Sequence, residues 1–215
     1  MNARLQSSRV PQKLIRPFGG STLIEIALYK LSRLDIFTNR YLAIAEEELA
    51  KFAQKFKNIE ILWRDRLAVQ KGVNPLEVTF KHYLKVPTDW VFVINPCQPL
   101  LSINTILKAY DIFQNTYYNS YMSAITIKDR IFDGEGNPLT YNNPKVLATD
   151  KTSPSLKVSH SFYIINKEYF RKTGLLWSFV KNDPFLISIP EEEARDVDTE
   201  LEFEITELFY LKHKA

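Results

Sequence analysis

The run Trp90-Val91-Phe92-Val93-Ile94 constrains the fold more than any other stretch of the chain. Five consecutive apolar, β-prone residues make a strand covered on both faces, the pattern of a central strand in a parallel sheet with helices above and below. The flanking segments alternate in the way such a sheet requires. Thr22-Leu23-Ile24-Glu25 is a capping box, and Leu23, Ile26, Ala27, Leu31 and Leu34 recur at helical spacing up to Asp35. Residues 40–45 read as a strand, 46–56 as an amphipathic helix and 59–62 as a second strand. Asn74-Pro75-Leu76-Glu77 caps a further helix that runs to about Lys85. Beyond the apolar strand, Ile103, Ile106, Leu107, Tyr110 and Phe113 mark a helix over 102–114. The expected class is α/β, a three-layer sandwich around a mostly parallel sheet.

The second half of the chain adds a smaller feature to this frame. Residues 122–127 read as a strand, and Asp133-Gly134-Glu135-Gly136-Asn137 has the chemistry of a tight turn between short strands. Residues 141–159, rich in Asn, Pro, Ser, Thr and Lys, read as a long lid-like loop, so 120–160 is expected to form a hairpin and lid insertion within one domain spanning 1–215. Residues 161–165 form another buried strand, Gly174 ends the helix after it, and 185–189 form the last strand. A formal charge of +3 spread over 215 residues does not favour nucleic acid, and no apolar run approaches the ~20 residues of a membrane span. The single Cys97 excludes an intrachain disulfide, and a reducing cytoplasm is the expected compartment.

Chemistry concentrates at the two ends. Arg4, Arg9 and Lys13 supply three cations within ten residues, Ser7 and Ser8 add hydroxyls, and Pro11 prevents a continuous helix, so the loop suits a polyanion such as phosphate. A frayed basic tail is the alternative on composition alone. Near the other end, Asp196-Val197-Asp198 places two carboxylates on one side of extended backbone, where both can face one Mg²⁺. Local capping would also account for such a pair, but Thr199-Glu200-Leu201-Glu202 is itself a capping box and relieves the aspartates of that duty.

Ala3-Arg4, Ser7, Arg9-Val10-Pro11 and Lys13 fall in the register of the signature loop of the sugar-acid cytidylyltransferases, the CMP-sialic acid and CMP-KDO synthetases, and residues 196–203 resemble their Asp-Ile-Asp-Thr-Glu-Glu-Asp-Phe motif. Asn95-Pro96-Cys97-Gln98-Pro99-Leu100 resembles the Gln-Pro-Thr-Ser-Pro-Leu segment of the sialic-acid enzymes. The resemblance spans the chain and implies a Rossmann-like nucleotidyltransferase fold in which CTP reacts with a sialic-acid-like (nonulosonic) sugar acid. It implies Arg4, Lys13 and Asp198 as catalytic residues. Arg4, Ser7, Ser8, Arg9, Lys13, Asn95 and Pro96 would bind nucleotide, Asp196 and Asp198 would hold Mg²⁺, and Gln98 and His160 would contact the sugar. A homodimer is compatible with it.

Departures from the pattern are Asn2 for Pro, Gln12 for Gly, Leu14 for Asn, Cys97 where KDO enzymes carry an acidic residue, and Leu101 where sialic-acid enzymes often carry Arg. They leave the sugar open between nonulosonic and KDO types. In the relatives a short apolar strand precedes the loop, too long for Met1 and Asn2 to supply. The expectation is therefore a central position left without a strand, and a chain less stable and less active than one extended upstream. Cys97 reads as an apolar filler rather than a nucleophile, His160 is more readily a hydrogen-bonded structural histidine than a sugar contact, and His82 and His213 read as solvated. Arg64 or Arg66 would contribute to the nucleotide pocket, with plain solvation the commoner reading of such arginines. Another nucleotidyltransferase, a non-catalytic nucleotide-binding homologue and a structural subunit of a glycan-synthesis complex are the rival readings.

Overall fold

The computed structural model describes residues 1–70, 75–140, 145 and 148–214. Its elements follow the expected alternation. A two-residue ribbon, β1 (Pro17–Phe18) and β2 (Ser21–Thr22), leads into α1 (Leu23–Ser32); then come β3 (Tyr41–Ile44), α2 (Glu47–Ala53), β4 (Glu60–Trp63), α3 (Leu76–Phe80), β5 (Trp90–Ile94) and α4 (Ile103–Gln114). After them lie β6 (Ser120–Ile127), β7 (Ser155–Asn166), α5 (Lys167–Thr173), β8 (Phe185–Ser188) and α6 (Glu200–Lys214). Thr22 caps α1, its hydroxyl accepting from Glu25 N at 3.3 Å. Gly174, with φ 70°, ends α5 in the left-handed turn that glycine adopts without strain. The helix after β4 is shorter than the spacing predicts, because the chain tightens into a 3₁₀ turn over Lys81–Lys85. The proposed cap Asn74 and most of residues 141–147 lie outside the described residues.

The sheet is mixed. β3 and β4 pair in parallel, and so do β6 and β8, but β7 runs antiparallel to both β5 and β6 in the order β5-β7-β6-β8. The reading of β5 as a strand within a parallel ladder is thus corrected: it pairs antiparallel with β7. Burial on both faces, which the apolar run does encode, follows from helix cover and carries no information on the neighbour's direction.

Residues 1–3 run beside β3. Met1 N donates to Tyr41 O (2.9 Å), Ala43 N to Met1 O (2.8 Å) and Ala3 N to Ala43 O (3.0 Å). The expectation that so short a stretch could not pair with the sheet is therefore corrected on the β3 side. Toward β5, the end strand of its sheet, a cavity of about 820 Å³ opens among Met1, Tyr41, Trp90, Phe92, Tyr110 and Phe113. Asn2, in place of the usual proline, is held by its own side chain, with Tyr83 Oη donating to its Oδ1 at 2.8 Å and His82 Nε2 lying 2.9 Å away. His82 is accordingly buried rather than solvated, and desolvation, aided by nearby Arg64, lowers its pKa to about 3. The side chain of His213 is outside what the structure describes.

One apolar core runs from Met1 to Phe203 through α1, β3, β5, α4 and β7. Helix α6 closes it at the base of the N-terminal loop. Phe203 meets Phe18 edge-on at 5.2 Å, the Arg16 guanidinium lies 4.4 Å above the Phe203 ring, and Gly19 N donates to Glu207 Oε1 at 2.7 Å. Gly19 combines a φ of 56° with an approach so close that a Cβ there would sit 2.5 Å from the Tyr210 ring. Gly19→Ala is therefore expected to destabilise the protein by about 2–4 kcal/mol, from left-handed strain plus displacement of α6. Chemical denaturation measures this, and a loss within error of zero would show that α6 docks differently.

Candidate active site

The N-terminal loop is shaped by its own backbone and hydroxyls. Ser7 Oγ accepts from Val10 N at 3.3 Å, so this serine builds the loop. Gln12, where relatives carry glycine, adopts φ 54°, and its carbonyl accepts from Ile15 N and Arg16 N. Val10 and Leu14 are buried and anchor the turn, which leaves Arg4, Ser8 and Arg9 exposed and the Lys13 side chain reaching inward. Arg4 and Ser8 make no hydrogen bond or ion pair among the described residues.

Lys13 meets the other end of the chain. Its Nζ donates to Val197 O at 2.6 Å and to Asp198 Oδ1 at 3.0 Å, and Arg9 reaches the same Oδ1 at 2.8 Å. Thr199 and Glu202 complete the predicted capping box of α6. Thr199 Oγ1 accepts from Glu202 N, and Glu202 Oε2 accepts from Asp198 N and the Thr199 hydroxyl. The aspartate side chains are thereby left to the site. Asp196 Oδ2 accepts from Asn95 Nδ2 at 3.3 Å, while its Oδ1 is buried and accepts no hydrogen bond among the described residues. Burial, and then the Asp198 charge, raise the pKa of Asp196. Desolvation on its own would depress Lys13, but Cys97, Asp198 and Asp196 reverse the sign and raise it.

The segment after β5 joins the two ends. Asn95 Oδ1 accepts from Cys97 N at 2.9 Å, and its amide also donates to His160 O at 3.1 Å; Val197 N donates to Cys97 O at 3.0 Å. Asn95 therefore ties the loop, the aspartate segment and β7 together, while buried Pro96 fixes the turn. Gln98 is buried, donates Nε2 to Ser159 O at 2.6 Å, and keeps an Oε1 that accepts nothing among the described residues. Desolvation pushes the Cys97 thiol up to about 11, which leaves it a neutral filler as expected.

His160 lies where β7 departs from its register against β6, at φ 57°. A non-glycine residue in the left-handed region at a bulge is a strained feature of the kind found at ligand sites. Its Nδ1 is 2.7 Å from Tyr163 Oη, and the buried Ser123 hydroxyl accepts from Ser161 N and Phe162 N to hold the bulge. Tyr163, unnamed within the 161–165 strand in the sequence reading, has its pKa raised to about 12 by burial and then by Asp196. Arg64 is a structural residue, donating to Ala68 O and Thr79 O. Arg66 lines a cleft of about 760 Å³ together with Gln6 of the N-terminal loop and Trp63.

A family model described as cytidylyltransferase matches residues 1–208. The chain belongs to the cytidylyltransferase family. It is 24% identical to the post-translational flagellin modification protein B of Campylobacter coli, over 99% of this chain and 93% of that protein. Among solved structures it resembles CMP-2-keto-3-deoxy-manno-octonic acid synthetase complexed with CTP, with a TM-score of 0.69 at 13% identity, covering 99% of this chain and 97% of that one. It also resembles the 4-diphosphocytidyl-2C-methyl-D-erythritol synthase of Anaerococcus prevotii, with a TM-score of 0.62 at 14% identity over 90% and 87% of the two chains. Among the described residues no helix is long and apolar enough to cross a membrane.

Proposed function

We propose that this cytidylyltransferase transfers CMP from CTP to a sialic-acid-like, nonulosonic sugar acid. One observation carries the reading: two cations of the phosphate-suited loop, Arg9 and Lys13, converge on Asp198 from 189 and 185 residues away in sequence. Phosphate-binding cations and a carboxylate pair meeting at one point form the arrangement that nucleotidyl transfer needs. The relative that modifies flagellin and the sugar-acid synthetase of similar fold favour a sugar acid as acceptor.

In the reaction the anomeric hydroxyl oxygen bonds to the α-phosphorus of CTP and gives up its proton to solvent, the bond from that phosphorus to the β-bridging oxygen breaks, and pyrophosphate leaves with the electron pair. Lys13 and Arg9 exchange Asp198 for phosphate oxygens and neutralise charge moving to the leaving group. Arg4 and Ser8, free of hydrogen-bond and ion-pair partners among the described residues, join them at the phosphates, with Ser7, Asn95 and Pro96 fixing the cradle. Gln98 Oε1 accepts from a sugar hydroxyl, and His160 faces the acceptor. The donor set suits Mg²⁺. Asp196 and Asp198 would hold the ion, and Asp196 Oδ1 is a buried oxygen that accepts no hydrogen bond among the described residues. When bound, Mg²⁺ would supply Lewis acidity for the phosphoryl transfer. A panel of nonulosonic acids, KDO and neutral sugars incubated with CTP and Mg²⁺ tests the proposal. CMP-sugar from a nonulosonic acid is expected; product from KDO alone, or from none, would overturn it.

A further inference from the structure

Lys30 occupies an uncommon place on α1. It lies four residues after Ile26 and three after Ala27, on the face that packs into the core, where an aliphatic side chain would be the ordinary choice. Its ammonium instead donates to Pro99 O at 2.5 Å and to Gln98 O at 3.4 Å. Desolvation lowers its pKa to about 7, with Glu193 opposing the shift. Glu193 is in turn engaged at the N-terminus of α4, where its carboxylate accepts from Ser102 N at 2.8 Å and from Ser102 Oγ at 3.1 Å. The residue thus lies beneath the loop that carries Gln98, whose amide is pinned to Ser159 O beside the His160 bulge and whose Oε1 is unpartnered among the described residues.

A desolvated cation near neutral pH subtracts from stability, and the carbonyls of one loop are what it gains. We infer that Lys30 is a positioning residue for the sugar-acid end of the site, fixing the Gln98–Pro99 backbone from below so that the Gln98 amide keeps its place against the β7 bulge. It never touches substrate. The inference rests on the proposed acceptor chemistry for its kinetic consequence, but the anchoring itself does not.

Lys30→Met keeps length and apolar contact while removing the donors. The variant is expected to raise KM for the sugar acid by about tenfold or more, because loss of one support displaces a contact group by a fraction of an ångström or more. KM for CTP should rise much less than KM for the sugar acid, since among the described residues Lys30 makes no hydrogen bond or ion pair with residues 3–13 and its ammonium bonds only Gln98 O and Pro99 O of the segment after β5. The melting temperature should be equal or higher, as the desolvated charge is gone, and Lys30→Arg should restore part of the sugar-acid KM. Amide hydrogen exchange of residues 95–101, measured without substrate, should quicken in Lys30→Met. A lower melting temperature with both KM values raised alike would assign Lys30 to the core and overturn the inference, as would unchanged exchange in 95–101. Should the parent protein use no sugar acid, the proposed function fails, and the exchange measurement still decides the anchor.

Discussion

Replacing Lys13 by alanine is expected to lower turnover by about 10²–10³-fold, the effect of removing one preorganised donor from a shifting phosphate charge. The side chain is 15% exposed, so its charge acts in a partly desolvated setting, whereas Arg9 is 63% exposed. Arg9→Ala should accordingly cost less, about tenfold. Stability should fall by no more than ~1 kcal/mol in Lys13→Ala, because Asp198 keeps Arg9 and reaches water. Because the folded pKa of Lys13 is raised, its stabilising contribution is complete below the ordinary lysine value and is lost only as the pH rises through the folded one. Lys13 thus remains charged throughout the neutral range. Steady-state kinetics with circular dichroism melts checks both parts, and near-normal turnover in Lys13→Ala would remove this residue from the cradle.

Asp196→Asn is expected to lose activity by about 10³-fold while melting at a higher temperature in metal-free buffer. The sign follows from burial. A carboxyl whose pKa is higher in the folded than in the unfolded chain adds stability only at low pH, and that contribution disappears as pH rises from the ordinary aspartate range through the raised value. At neutral pH the buried, partly unpaired carboxylate is a liability that the amide removes. Mg²⁺ should raise the melting temperature of the parent and not of Asp196→Asn or Asp198→Asn. Equal shifts in all three would remove the metal assignment, and a lower melting temperature for Asp196→Asn without metal would contradict the account of its burial.

What the sequence revealed and what it withheld follow from the range of each interaction. Arg9, Lys13, Asp196 and Asp198 were readable because each lies in a short motif whose residues act together in sequence. The convergence of the two motifs needed the resemblance, since nothing local tells the loop that α6 docks beneath it. The antiparallel partner of β5 was unreadable for a different reason: an apolar strand covered on both faces looks alike whichever way its neighbour runs. The left-handed His160 and Gln12 carry no composition signal, although glycine at the second position in relatives hinted at positive φ. Lys30 did leave a trace. A lysine three and four residues beyond Ala27 and Ile26 sits in the apolar stripe of α1, and a cation there asks for buried oxygen acceptors.

CTP labelled at its α-phosphorus, incubated with Mg²⁺ and a nonulosonic acid, tests most directly the claim that these two motifs make one transfer site. The label should appear in the CMP-sugar with unlabelled pyrophosphate released in equal amount, and both should form at least about 10²-fold more slowly in Lys13→Ala and Asp198→Asn. Label in inorganic phosphate or free CMP without a sugar adduct, or equal product from the parent and both variants, would contradict it.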